Sequence, residues 1–263
     1  MGQVTEIVGR GLAGFLTKPV RQSIQVATIS QEKLLEYLQP GDVLLVEGNT
    51  RISVAIKYLT QSTWSHATLY IGNALSTGSE WEVPRVLVEA DLQEGVRAIP
   101  LAYYARMHTR ICRPVGLSNE DRQQVVDYVI ARLGQKYDLK HIFDLARYLL
   151  PTLPVPRRMR RRMLAFGSGD PTRAICSTLI AQAFESVRYP ILPEIQRTWS
   201  DDPMHTDCYA DIYHIRNYSL FTPRDFDISP YFDIIKPTIE NGFDYRSLIW
   251  SDSGHDAKQA GCE

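Results

Sequence analysis

The sequence predicts an α+β protein in which an antiparallel sheet, curled or closed into a barrel, packs against helices. Short strand-like segments follow one another between residues 43 and 115, close enough in sequence to pair antiparallel. Two well-marked helical segments, over 118–134 and 174–187, come after them. No stretch reaches the roughly 18 uninterrupted apolar residues of a membrane span.

Residues 1–30 read as a weakly patterned arm: Ile7, Val8, Leu12, Phe15 and Leu16 outline a short amphipathic helix that Gly9, Gly11 and Gly14 weaken. Packing against the body is expected there, ahead of membrane anchoring. Pro40-Gly41-Asp42 is a turn, and Val43 to Val46 is a fully apolar strand. Residues 51–60 carry Ile52, Ala55, Ile56 and Leu59 on one helical face. His66 to Ile71 alternates, which sets His66, Thr68 and Tyr70 on one side of a strand ended by Gly72-Asn73. Arg85 to Ala90 and Gly95 to Pro100 read as a strand pair, with a further strand over Thr109 to Val115.

Ser118 and Asp121 form a capping-box-like helix start, Val125, Val126, Val129, Ile130 and Leu133 its apolar stripe, and Gly134 its stop. Residues 139–170 look like an insertion: an apolar stretch runs into Pro151, Pro154 and Pro156, then into Arg157, Arg158, Arg160, Arg161 and Arg162. Ala174 to Val187 is a helix. The prolines from 190 to 237 predict short elements and wrapping segments. The division expected is an arm over 1–30, one domain over 31–236 with the insertion at about 139–170, and a tail over 237–263.

The net charge of −1 gives no global steering toward nucleic acid or a membrane surface. Cys112, Cys176, Cys208 and Cys262 show neither CxxC pairs nor zinc-ligand spacing. The start lacks the pattern of a secretory signal, so free thiols and a cytoplasmic location are expected.

Leu179, Ile180, Ala183, Phe184 and Val187 define the inward stripe of the last clear helix, and Cys176 sits on it at the first turn. Amide N–H groups and the dipole at a helix N-terminus lower a thiol pKa and can hold an oxyanion. A cysteine on an apolar stripe is nevertheless more often packing than catalysis, and the helix by itself leaves both readings open. A thiol nucleophile needs an imidazole, and the imidazole a third group to orient it. Of six histidines, His66 alone begins a well-patterned strand. Glu89, acidic inside Val86-Leu87-Val88-Glu89-Ala90, calls for a partner and is the natural orienter, with Asp91 and Glu94 as fallbacks. An edge-strand glutamate pointing into water is the competing reading.

Taken together, Pro40 to Leu45, Ser65 to Gly72, Val88-Glu89-Ala90 with Gly95-Val96, Gly134-Gln135-Lys136-Tyr137-Asp138 and Cys176-Ser177 opening a helix resemble the permuted papain-like, NlpC-type amidases. Those enzymes are similar in turn to the lecithin:retinol acyltransferase group. The resemblance spans roughly residues 38–235. It implies a circularly permuted papain-like fold with the histidine strand ahead of the cysteine helix. It implies Cys176 as nucleophile, His66 as base and Glu89 as orienter, with Tyr137 and Ser65 near the oxyanion or substrate. No metal or organic cofactor is implied.

Amide hydrolysis of a peptide or aminoacyl conjugate through a thioacyl-enzyme is the leading expectation. Lipid ester hydrolysis or acyl transfer comes second, and a catalytically inactive binding module of the same fold is the alternative from another class. Departures from the family pattern at Ala174-Ile175 and Thr178 bear on the substrate more than on the catalytic pair. The arginine cluster could touch anionic lipid peripherally or lid the site, although a solvated face is the usual role of such a run. No nucleic-acid partner is expected.

Overall fold

A computed structural model describes residues 11, 14–20, 27, 29–75, 83–136, 175–199, 209–214 and 216–247. Strands β1 (Val43–Val46), β2 (His66–Tyr70), β3 (Leu87–Asp91), β4 (Gly95–Ile99) and β5 (Thr109–Pro114) form where the alternation and apolar runs predict them. Two further strands, β6 (Glu194–Trp199) and β7 (Tyr209–His214), make a separate antiparallel ribbon. β8 (Phe232–Ile235) joins the main sheet beside β5. The proline-rich stretch read as short elements and wrapping segments thus supplies three strands of four to six residues.

The six strands of the main sheet run in the order β4-β3-β2-β1-β5-β8, every pair antiparallel. Of the two forms expected, a curled sheet or a closed barrel, the sheet takes the open one, with β4 and β8 as its edges. At β4 the edge is covered by chain that is not a strand. Val96 N–H donates to the Gln135 carbonyl (2.9 Å), and Gly134 N–H to the Val96 carbonyl (2.8 Å). Gly95 permits this approach, because it has φ +79° and any Cβ there would lie 2.2 Å from the Gln135 oxygen.

Helices α1 (Gln31–Tyr37), α2 (Arg51–Thr60), α3 (Asn119–Ile130), α4 (Ile175–Ser186), α5 (Pro223–Ile228) and α6 (Pro237–Glu240) surround the sheet. The Thr50 Oγ1 accepts the Ser53 N–H and opens α2; the Ser118 Oγ accepts the Asp121 N–H and opens α3. α3 ends sooner than its stripe predicts. Residues 131–134 form the turn that delivers Gly134 to β4.

Both sheet faces are covered. Val43, Leu45, Ala67, Leu69 and Val88 pack beneath Val125, Val129, Leu179, Ile180 and Phe184 of α3 and α4. Leu44, Val46, Tyr70, Leu87, Ile99 and Ile111 pack beneath Leu34, Leu101 and Tyr104 on the other side. Thr68 and Tyr70, on the face whose alternation read as half polar, are buried. Double coverage also explains why β1 is apolar at every position.

One buried charge pair ties β1 to β5. Asp42, just before β1, accepts from Arg113 Nε (3.0 Å) and Nη2 (2.8 Å), and from the Gln39 N–H (2.8 Å). Burial nonetheless pushes the Asp42 carboxyl above its usual range, against the pull of Arg113. Arg113→Met strands that carboxylate, and urea unfolding at pH 7 should show a loss of about 3–5 kcal/mol. Protonation relieves a stranded carboxylate, so the gap from wild type should narrow as pH falls toward 5.

Candidate active site

The chemistry converges where the sheet comes apart. β2 and β3 pair only at Leu69↔Val88 and Tyr70↔Leu87. Toward His66 and Asp91 the two strands are no longer paired, and the first turn of α4 enters there. Along β2 the N–H groups alternate in direction: Tyr70 donates to Asp42 on the β1 side, and Ile71 to Val86 on the β3 side. By that alternation the Ala67 N–H faces β3 beyond the end of the pairing, and it turns instead to the sulfur of Cys176. The start of α4 is held in place by Ser177, whose buried Oγ donates to the Phe221 carbonyl at 2.7 Å.

Cys176 is buried, with 4% of its surface exposed. Burial raises its thiol pKa, but the His66 charge and hydrogen bond, with the N–H groups of Ala67 and Ser177, outweigh that and lower it. His66 responds reciprocally. Burial disfavours its charge, yet the sulfur and the Glu89 carboxylate raise the imidazole well above its ordinary value. Each group favours the ionised form of the other, and both shifts run in the direction of a thiolate–imidazolium pair.

His66 Nε2 lies 2.8 Å from Glu89 Oε2, which leaves Nδ1 for the sulfur. The strand register, carried on by one residue, sets Glu89 opposite Thr68, so the carboxylate reaches His66 diagonally. The competing reading of Glu89 as a solvated edge residue is excluded by its 1% exposure. Its oxygens accept from His66, from Arg97 Nε (2.8 Å) and from the Tyr104 hydroxyl. Burial alone would raise this carboxyl; His66, Tyr104 and Arg97 outweigh it and hold the pKa at about 2.

Arg97 and Tyr104 were missed in the sequence, although one signal was present. A hairpin turning between Asp91 and Gly95 sets Glu89 directly across from Arg97. Tyr104 gave no such signal, because it arrives on the short 3₁₀ turn Leu101–Tyr104, folded back over the sheet. Asp91 and Glu94 lie beside Arg97, at 3.6 and 3.1 Å, rather than beside His66.

Ser65 lines the same cleft, buried, its Oγ accepting the Gly48 N–H at 2.9 Å. A Cβ at Gly48 would fall 2.3 Å from Ser53 Oγ and 2.9 Å from Ser65 Oγ, so the loop after β1 closes tightly on these hydroxyls. Tyr137, the 139–170 insertion with its five arginines, Cys208 and Cys262 lie outside the described residues. Of the other described histidines, His108 pairs with Glu47 at 3.3 Å and His214 with Gln196 at 3.1 Å.

The cleft, about 200 Å³, has Cys176, His66, Glu89 and Arg97 on one side and Val46, Ile52, Ile56 and Met107 among its apolar lining. A larger cavity of about 370 Å³ beside the C-terminal half of α4 has no cysteine, serine, threonine or histidine among its described lining residues. The cysteine and histidine side chains therefore line the smaller one. Among the described residues no group of three or more His, Cys, Asp and Glu side chains is arranged to hold a metal ion. Nor is any described helix long and apolar enough to cross a membrane.

Residues 37–148 match the family model described as permuted papain-like amidase enzyme, YaeF/YiiX, C92 family. The matched stretch carries His66 and Glu89 and ends before Cys176. This chain is also similar to metalloprotein YiiX from Escherichia coli O157:H7, known from a crystal structure, with a TM-score of 0.44 and 17% identity over 75% of this chain and 96% of that one. Comparison with curated proteins returned no match. The α+β class expected from the sequence, with the histidine strand preceding the cysteine helix, stands with the sheet open.

Cys176 and Cys112 offer an internal comparison. Cys112 is fully buried within β5, and burial pushes its thiol far up. Iodoacetamide at pH 7, with the modified peptides quantified by mass spectrometry, should label Cys176 and leave Cys112 unlabelled in folded protein. Glu89→Gln should slow labelling of Cys176 by about tenfold at that pH.

Proposed function

We propose that this chain is a cysteine hydrolase of the permuted papain-like amidase type, working through a thioacyl-enzyme at Cys176. The observation that carries the reading is the contact chain Cys176–His66–Glu89 at the wall of a cleft, with the thiol lowered and the imidazole raised. The family match over residues 37–148 supports the same class.

In this mechanism the Cys176 thiolate attacks the carbonyl carbon of an amide, forming a C–S bond while the carbonyl π electrons move to oxygen. The first turn of a helix offers no intrahelical acceptor to its own N–H groups, and the Cys176 N–H is the donor we assign to that oxyanion. Ser65 accepts from Gly48 through oxygen and keeps its own proton to offer to substrate. The assignment of Tyr137 to the same task rests on the motif it belongs to. Collapse of the intermediate breaks the C–N bond as the His66 imidazolium gives its proton to the leaving amine. Neutral His66 then takes a proton from water, the hydroxide equivalent adds to the thioester, and Cys176 leaves as thiolate. Glu89 keeps the ring in the tautomer and orientation that both transfers need.

One observation favours a second reading within the class. The cleft wall from Val46, Ile52, Ile56 and Met107 suits an apolar acyl group, as in a lipid ester. Peptidyl and aminoacyl anilides compared with p-nitrophenyl esters of increasing chain length separate the two. Faster turnover of anilides upholds the amidase, and faster turnover of the longer esters upholds the esterase.

Cys176→Ala and His66→Ala should each lower kcat/KM by about 10³-fold or more on whichever series is cleaved. Undiminished turnover in folded Cys176→Ala would sink the proposal. The pH profile should be bell-shaped. Its acid limb reports thiolate formation and falls below the ordinary thiol value of 9.0. Its basic limb reports loss of the imidazolium and lies well above the ordinary imidazole value of 6.5.

A further inference from the structure

Counting charge at the site shows what the three central residues lack. In the state that reacts, Cys176 is negative, His66 positive and Glu89 negative, so together they carry one uncompensated negative charge. Cys176 and Glu89 are almost wholly removed from water, and the His66 side chain keeps 22% of its surface. A net charge in such surroundings is costly, and the cheapest relief is protonation of the thiolate or the carboxylate.

Arg97 supplies the missing positive charge. Its side chain, 18% exposed, reaches Glu89 Oε1 through Nε at 2.8 Å and through Nη2 at 2.7 Å. Both contacts fall on one oxygen, so Arg97 anchors Oε1, and the carboxylate plane is fixed only together with the partners of Oε2. The Tyr104 hydroxyl donates to the other oxygen, the one that meets His66. Arg97 is itself braced by the Tyr103 hydroxyl (3.2 Å) and by the face of that ring, 5.1 Å from the guanidinium carbon.

We propose that Arg97 and Tyr104 are positioning residues of this site: they hold Glu89 ionised and in one orientation, so that the thiolate–imidazolium pair forms without net buried charge. The inference rests on the hydrolase reading for its consequence in catalysis, but its test is read on the thiol itself. Other charged groups face the pair from the neighbouring elements. Asp91 on β3 and Glu94 in the turn after it both touch Arg97, at 23% and 64% exposure. Being nearer water, they weigh less than Glu89, and both are negative, which makes Arg97 the cation that the whole group shares.

The measurement is the iodoacetamide alkylation rate at Cys176 across pH 4 to 10, followed on the peptide that carries it, with circular dichroism confirming the fold. Arg97→Met should move the midpoint of that profile up by about one unit or more. At pH 7 it should lower kcat about tenfold with little change in KM, since Arg97 acts through Glu89 rather than on substrate. Arg97→Lys keeps the charge and should recover most of the shift. Tyr104→Phe removes one donor without altering charge or bulk and should move the midpoint by a smaller step in the same direction. A midpoint unmoved in folded Arg97→Met overturns the proposal. Should that variant fail to fold, an unmoved midpoint in Tyr104→Phe overturns it instead. Wild-type protein that shows the shifted alkylation profile but cleaves neither substrate series refutes the hydrolase reading and leaves this inference standing.

Discussion

A carboxylate with 1% of its surface exposed must be paid for by its surroundings, and Glu89 dictates much of what surrounds it. It lies in a strand covered on both faces, where water cannot serve as partner. His66, Arg97 and Tyr104 supply donors from three different elements, β2, β4 and the 3₁₀ turn that follows. Removing any one leaves a buried lone pair unmet, so the register of the β3–β4 hairpin and the fold-back of Leu101–Tyr104 are tied to the site's electrostatics.

The site also depends on what the sheet does not do. Had β2 and β3 stayed paired to their ends, the Ala67 N–H would have been used in the ladder and α4 could not have brought its first turn to His66. Pairing stops at Leu69↔Val88, and the freed amide, the Ser177 amide of α4 and the imidazole all meet at one sulfur. The order of the segments in the chain has no bearing on this. A histidine strand before or after the cysteine helix meets it equally well, since only the final contacts set the pKa values.

An open sheet raises the question of its edges, which a barrel would not have. At β4 the turn after α3 caps the edge through Val96, and Gly95 makes room for it. The same turn leads directly to Tyr137, outside the described residues.

Much of this was legible in the sequence. Strand and helix positions follow from alternation and apolar stripes, which are local and survive folding unchanged; β1, β2, α2 and α4 fall within a residue of where the pattern sets them. The candidacies of Cys176, His66 and Glu89 were legible too, because an N-terminal helical cysteine and an acid inside an apolar strand are chemically conspicuous. Tertiary structure alone decided the rest. The strands after residue 190 are set by pairing with other segments, which the pattern of each strand alone does not reveal. That β4 stays an edge is decided by the turn after α3, which takes the Val96 backbone groups. The ionisation of Cys176 and the place of Arg97 and Tyr104 depend on desolvation and on distances between elements far apart in the chain, and sequence records the groups but neither their separation nor their access to water.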